Sequence, residues 1–436
     1  MSNQLSRRNL LKALGLGLTA TALPGLVRAI DTTTIPQIIV VGGGFAGATV
    51  AKYLKMWGGL SVQVTVVEPN ATYISPILSN LVLNGQKTTD DLSFNYINHS
   101  QKYGVNMLHD TVVAVDNTAK TIKLGGGSEL SYDKLILAPG IDFDAMPGHD
   151  FTKVPHAWKA GEQTNLLKAQ IDAMQDGDSF VMTVPKAPYR CPPGPYERAC
   201  VVADYLKNTK GYTGCTVKVL DANPAITVEA DTFGAMFAIY GVEYVHSAAV
   251  VSVDSDAKSV TYSVSGASSE TLLATTLNVI PNQKAGSIVF TAGLNENNWA
   301  PVNPLTYEST KLNSANVPLG LDIHIIGDSQ GTGLPKAGHI GNSEAKICAD
   351  AVLRSLKGLE PDPAPKTNSA CYSPVSSSTA SWLTAVYEFN ASTGQMQPID
   401  IVPNSVVDKY ASGAPSAENY RSMFNWAGNL FQDTFA

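Results

Sequence analysis

The fold of this chain turns on Gln37-Ile38-Ile39-Val40-Val41-Gly42-Gly43-Gly44-Phe45-Ala46-Gly47. Four β-branched residues in a row make a short buried strand, and glycine ends it abruptly. A helical stretch follows over residues 48–57. Val62-Gln63-Val64-Thr65-Val66-Val67 then alternates as a second strand and stops at Glu68. Together they read as a βαβ unit of about thirty residues. Glycine at 42, 44 and 47 lets the backbone turn tightly and approach a pyrophosphate, whose charge settles on the helix N-terminus. Glu68 lies 21 residues past Gly47, where an acid accepts hydrogen bonds from the ribose hydroxyls of an adenosine. Strand, helix and acid in register make this a dinucleotide site rather than a packing turn, with Gly42, Gly43, Gly44, Ala46, Gly47 and Glu68 as its contacts. The motif alone leaves FAD and NAD open.

Downstream the α/β pattern continues. Strands are expected at 111–115, with Val113 a further cofactor contact, and at 134–137, 179–184, 217–220 and 324–326. Helices are expected at 162–174, 196–207 and 343–356, and small antiparallel strands over 250–277. The expected architecture is α/β, with two Rossmann-like domains and a C-terminal α+β module. The first dinucleotide domain is assigned to 30–144 and 288–360, the second to 145–287. A proline-rich linker at 361–365 opens the module, 361–436. Near the end, Tyr420, Phe424, Ala427, Phe431 and Phe435 recur at helical spacing, a stripe expected to dock on its own protein and otherwise suited to a partner or a membrane surface.

Composition narrows the function. The chain has 436 residues, 44% of them apolar, and a net charge of −7. Such a chain buries real cores and has no basic face with which a nucleic-acid binder releases counterions. Five cysteines in this length are no disulfide scaffold. Without a CxxC pair, a metal-like histidine spacing or a CxxCH, neither a zinc site nor a resident haem is expected. Cys200, Cys215 and Cys348 sit in apolar contexts and are read as core residues, and His156 and His339 as structural. The N-terminus is an address: Ser6-Arg7-Arg8-Asn9-Leu10-Leu11-Lys12, an apolar run over 13–26 and a cleavage site at Val27-Arg28-Ala29. This is a twin-arginine export signal over 1–29, implying a folded passage to the periplasm. No other segment is apolar enough to span a membrane.

Two later segments choose the cofactor. Lys134-Leu135-Ile136-Leu137-Ala138-Pro139-Gly140 looks like the strand and turn that return the chain to the FAD domain in two-dinucleotide flavoproteins. His324-Ile325-Ile326-Gly327-Asp328 looks like their second FAD motif, with Asp328 on the ribityl chain. Ala138, Gly140, Gly327 and Asp328 join the cofactor contacts. Where a nicotinamide-dependent relative would carry another glycine fingerprint, this chain has Lys186-Ala187-Pro188-Tyr189-Arg190-Cys191-Pro192-Pro193-Gly194-Pro195. Prolines have no N–H to offer a phosphate. The reading is a flavoprotein that trades electrons with something other than nicotinamide.

Cys191-Pro192-Pro193-Gly194-Pro195-Tyr196-Glu197-Arg198-Ala199, His156-Ala157-Trp158-Lys159-Ala160-Gly161-Glu162-Gln163-Thr164, Pro335-Lys336-Ala337-Gly338 and Ala370-Cys371-Tyr372-Ser373 carry a resemblance. The chain resembles the flavoprotein subunits of flavocytochrome c sulfide dehydrogenase, within the glutathione-reductase-like superfamily. The resemblance implies a periplasmic enzyme that oxidises sulfide to sulfur or polysulfide and passes electrons through FAD to a c-type cytochrome subunit. It also implies a redox disulfide between Cys191 and Cys371. Lys336 is the candidate cation near the flavin's pyrimidine end. Glu197, at a helix start six residues after Cys191, is either the acceptor of the thiol proton or a first-turn acid favoured by the helix dipole. Pro76 stands where the family's best-known members have a flavin-linking cysteine, so FAD is expected to be non-covalent. A sulfide:quinone oxidoreductase is the rival expectation, and a non-catalytic FAD-binding sulfur carrier a third.

Overall fold

The computed structural model describes residues 35–399 and 411–436. The export signal at 1–29 lies outside the described residues.

Val40, on the strand Gln37–Val41, is fully buried, and its neighbours fix why it must be. Gln37–Val41 is the middle of a five-stranded sheet, ordered Ile323–Ile325, Lys134–Leu137, Gln37–Val41, Gln63–Val67, Asn106–Leu108. Every neighbouring pair is parallel, and a parallel sheet is covered on both faces, which calls for apolar residues at consecutive positions. Ile38 and Val40 face the helices Phe45–Gly58 and Gly338–Ser355. Ile39 and Val41 face the antiparallel strands Val112–Asp116, Thr121–Leu124 and Glu129–Ser131.

A second parallel sheet is ordered Glu243–Val245, Thr216–Asp221, Ser179–Val184, Thr276–Asn278. Helices Glu162–Asp172, Gly194–Asp204 and Ala230–Tyr240 cover one face. The antiparallel strands Ala248–Asp254, Ser259–Val264 and Glu270–Leu273 cover the other. The third layer set is antiparallel, Lys366–Pro374, Ala380–Asn390, Gln395–Pro398 and Ala411–Ser416, followed by the helix Ala417–Phe435. The α/β class with two Rossmann-like sheets is what the sequence pattern predicts.

Three elements depart from expectation. Thr276–Asn278 leaves the antiparallel region and pairs parallel with Ser179–Val184, because all three of its residues are buried and suit a covered sheet. The helix expected from 343 begins at Gly338. A side chain there would fall 2.7 Å from the ring of Phe45, so glycine is what lets the two helices approach. The helix expected at 196–207 starts at Gly194 and passes at Tyr205–Thr209 into a wider π turn. Among the described residues no helix is long and apolar enough to cross a membrane. The aromatic stripe docks inward: Phe431 and Phe435 pack among Phe45, Tyr73 and Phe94.

Candidate active site

The glycine turn is sterically closed to any other residue. Gly42 has φ 101°, and a Cβ on Gly47 would lie 1.9 Å from the carbonyl oxygen of Gly42. Gly44 caps the helix Phe45–Gly58 without any side-chain acceptor, so the first N–H groups remain available to an anion. The amide of Gly43 donates to Glu68 Oε2 at 2.8 Å, and the Tyr96 hydroxyl donates to the Gly43 carbonyl at 3.0 Å. Glu68 Oε1 accepts from the backbone and side chain of Asn70. The acid is thus held at the end of its strand, beside the turn.

The other predicted cofactor contacts converge on the same strand ends. A Cβ on Gly42 would meet the Ala138 carbonyl oxygen at 2.4 Å, and one on Gly327 would meet Ala46 at 3.0 Å. Gly140 accepts from Ser329 Oγ at 2.5 Å. Asp328 is sunk beside Arg190 and Lys336. Burial raises its carboxyl above the usual range while those two cations pull it down. Among the described residues that carboxylate has no hydrogen-bond partner. A glycine cradle, an uncapped helix start, an acid at the second strand and a half-buried acid without a hydrogen-bond partner opposite fit FAD. Val113 differs: it stands at an irregularity of its ladder with its side chain 47% exposed, so it has only its backbone to offer.

Beyond the cradle opens a cleft of about 600 Å³, its mouth included. Cys191 and Cys371 both line it, as do Pro76, Glu197, Trp158 and Trp426. Cys191 sits in a left-handed conformation, φ 58°. Its amide donates to the Lys336 carbonyl at 2.7 Å and its carbonyl accepts from Gly194 at 2.9 Å. Cys371 arrives on the strand Lys366–Pro374. The two stand as free thiols. Burial pushes Cys191 well above its ordinary range and Cys371 up to about 12.

Glu197 enters on the first turn of Gly194–Asp204 and is 8% exposed. Its Oε1 accepts from Asn80 Nδ2 at 2.8 Å, and burial lifts the carboxyl to about 8 against the pull of Asn80 and Arg198. Lys336 is buried, donates to the carbonyls of Asp328 and Gln330 at 2.9 and 2.7 Å, and lies 3.6 Å above the Trp299 ring. Burial lowers it to about 8. Ser75, next to Pro76, spends its hydroxyl on the Ile77 amide at 3.0 Å.

Sequence reasoning missed Asn80, Arg198 and Glu229. Arg198 is fully buried with four hydrogen bonds, and Glu229 accepts from Ser373 at 3.0 Å beside Cys371. Arg198 lay inside a quoted motif, but burial of a charge leaves no mark in a linear pattern. Of the cysteines read as core, Cys200 and Cys348 are buried. Cys215 is a correction: it is partly exposed and its Sγ meets the Gln175 carbonyl at 3.2 Å, because its strand begins only at Thr216. His156 and His339 accept from the amides of Trp158 and Ala370. Among the described residues no cluster of three or more His, Cys, Asp or Glu could hold a metal.

Three family models match the chain. They are the central domain of the sulfide dehydrogenase [flavocytochrome c] flavoprotein chain over 164–281, pyridine nucleotide-disulphide oxidoreductase over 36–173, and the flavocytochrome c sulphide dehydrogenase flavin-binding domain over 363–435. Together with the cradle they indicate FAD. A segment of 46 residues is 46% identical to the flavoprotein chain of sulfide dehydrogenase from Chlorobaculum thiosulfatiphilum, covering 11% of this chain and 94% of that one. The mitochondrial sulfide:quinone oxidoreductase of Mus musculus is 26% identical over 40% of this chain and 39% of its own. Ferroptosis suppressor protein 1 of Taeniopygia guttata is 32% identical over 24% of this chain and 27% of its own. The chain therefore spans well under half of the length of these longer curated relatives. Among solved structures, the sulfide:quinone oxidoreductase of Aquifex aeolicus superposes with a TM-score of 0.73 at 14% identity, covering 92% of both chains. The putidaredoxin reductase–putidaredoxin complex gives 0.60 at 17% identity, covering 92% of this chain and 93% of that one. At such identities the likeness is one of fold. The flavoprotein models, the near-complete match to the Chlorobaculum chain and the cradle lead to one placement: this chain belongs to the family of flavoprotein chains of flavocytochrome c sulfide dehydrogenase.

Proposed function

We propose that this chain is the sulfide-oxidising flavoprotein of a periplasmic flavocytochrome c, holding FAD without a covalent link and passing electrons to a c-type cytochrome. The observation that carries the reading is the meeting of Cys191 and Cys371, distant in sequence, in one cleft with Glu197. When bound, FAD supplies a two-electron acceptor that can release its electrons singly.

The chain's own residues supply the rest. In the oxidised enzyme the two sulfurs are joined. Hydrosulfide attacks one of them, the S–S bond breaks, a persulfide forms there, and the other sulfur leaves as a thiolate carrying the bonding pair. The persulfide proton passes to Glu197, which burial has raised to about 8, so the step gathers pace as that carboxyl ionises. A second hydrosulfide takes the outer sulfur as hydrodisulfide, with the cysteine sulfur leaving as a thiolate, and the two reduced cysteines then hold the electron pair that bound FAD would accept. Lys336, fixed by two carbonyls and a ring, brings a buried positive charge to the loop that carries Asp328. Arg7-Arg8 and the apolar run behind them support the periplasmic destination.

Stopped-flow mixing with sulfide tests the reading. The flavin should bleach in the native protein and stay oxidised in Cys191→Ser; full bleaching by that variant ends the proposal. Denaturation in acid should release the flavin to the supernatant, since Pro76 has no nucleophile, and flavin in the precipitate would refute non-covalent attachment. A second reading, electron delivery to quinone, draws on the fold likeness to the Aquifex aeolicus enzyme. Reduction of quinone analogues but not of cytochrome c would favour it.

A further inference from the structure

The geometry points to Arg198 as a positioning residue: its buried, clamped charge favours an anion in the cleft, for which Glu197 and Cys191 compete. The inference rests on the sulfide-oxidising reading only for its biological use.

Arg198 is 2% exposed. Its Nε donates to Asn80 Oδ1 at 3.0 Å, one terminal nitrogen to Asn278 Oδ1 at 2.9 Å and the His156 carbonyl at 3.1 Å, the other to the Ala157 carbonyl at 2.6 Å. Asn278 is itself buried and pinned by donating to the carbonyls of Pro155 and His156. Trp158 lies under the guanidinium, 4.9 Å away. Every one of these partners is neutral, and among the described residues no carboxylate lies within ion-pair distance of Arg198. A buried cation satisfied by dipoles alone keeps its field, and an unbalanced buried charge is costly until an anion answers it.

Two groups can answer. Glu197 is the next residue along the helix, and Asn80 ties the pair together, donating to Glu197 Oε1 while accepting from Arg198. Cys191 is the other, and it also faces Cys371, Glu197 and Arg190. Glu229 is the remaining acid facing Glu197 and Cys371, and His156 is kept neutral by burial. Arg190 lines the same cleft, so Arg198 supplies one of two positive charges there, and two anions side by side on Glu197 and Cys191 still repel, each making the other harder to ionise. Cys191 is half-buried at the wall of this cleft, within reach of a small reagent.

The test is the pH profile of Cys191 alkylation by iodoacetamide in the reduced, flavin-loaded protein, followed on the Cys191 peptide by mass spectrometry. It needs no sulfide, so its failure is distinct from failure of the function. Arg198→Met should raise the midpoint by about one unit and slow alkylation about tenfold at pH 8. Arg198→Lys, which keeps the charge, should restore most of the rate. Glu197→Gln should do the reverse of Arg198→Met and speed alkylation about tenfold, because the competing anion is gone. An unchanged midpoint in Arg198→Met overturns the inference. If that variant does not fold, a Glu197→Gln protein that reacts no faster overturns it equally.

Discussion

Glu197 carries a proton at neutral pH because the fold removes water from it, and that has two readable consequences. Its carboxyl is raised from 4.5 to about 8, with burial as the main cause. As a base it works only when ionised, so at constant hydrosulfide concentration the bleaching rate should climb through about pH 8. Glu197→Gln should flatten that limb. Stability has the opposite sign. A folded pKa above the unfolded one gives a contribution that is whole below pH 4.5 and lost as pH rises through about 8. Urea midpoints should therefore show Glu197→Gln gaining on the native protein as pH rises from 4.5 to about 8, and parallel pH curves would refute the burial argument. Lys336 is the second residue of this kind. Lys336→Met removes a cation held by two carbonyls over Trp299, and should lower the flavin midpoint potential in a spectroelectrochemical titration, the anionic reduced ring having lost a buried positive charge beside the cradle.

Elements differ in how openly the sequence declares them. The strand Gln37–Val41 and its glycine turn were legible because parallel sheets and pyrophosphate turns each need residue types that little else explains. The tail stripe was legible as a helix, Ala417–Phe435, but its partners were not. Phe435 stacks on Phe94 at 4.9 Å and on Tyr73 at 5.4 Å, rings that spacing within the tail could never name. Because Phe435 also packs on Phe45 at 5.7 Å, it braces the helix that starts at the glycine turn. Phe435→Ala should cost about 3–4 kcal/mol. A urea titration would show this, and faster loss of flavin on dilution should accompany it. A variant equally stable in urea would mean that the ring cluster is not packed as described.

At the scale of the whole molecule, two sheets of the same kind have taken different employment. The first leaves its strand ends open to a dinucleotide. In the second, the same place is filled. Asp221 ends the strand Thr216–Asp221, where a dinucleotide domain would put its ribose acid. It is spent on the hydroxyls of Tyr196 and Tyr244, at 2.7 and 2.8 Å, and on the amide of Asn223 at 2.8 Å. The proline loop was visible in the sequence and already argued against a phosphate site. The occupation of Asp221 was not, since Tyr196 and Tyr244 reach it from separate elements. Pro193 and Pro195 flank the start of Gly194–Asp204 and remove N–H groups where phosphate oxygens would need them. NADH should therefore leave the flavin oxidised under conditions where sulfide bleaches it. Asp221→Ala should not create a response, because clearing the acid's partners restores neither the glycines nor the missing donors. Bleaching of the native protein by NADH at a rate near that with sulfide would mean that the second sheet still serves a nucleotide, and the division of labour between the two halves would have to be redrawn.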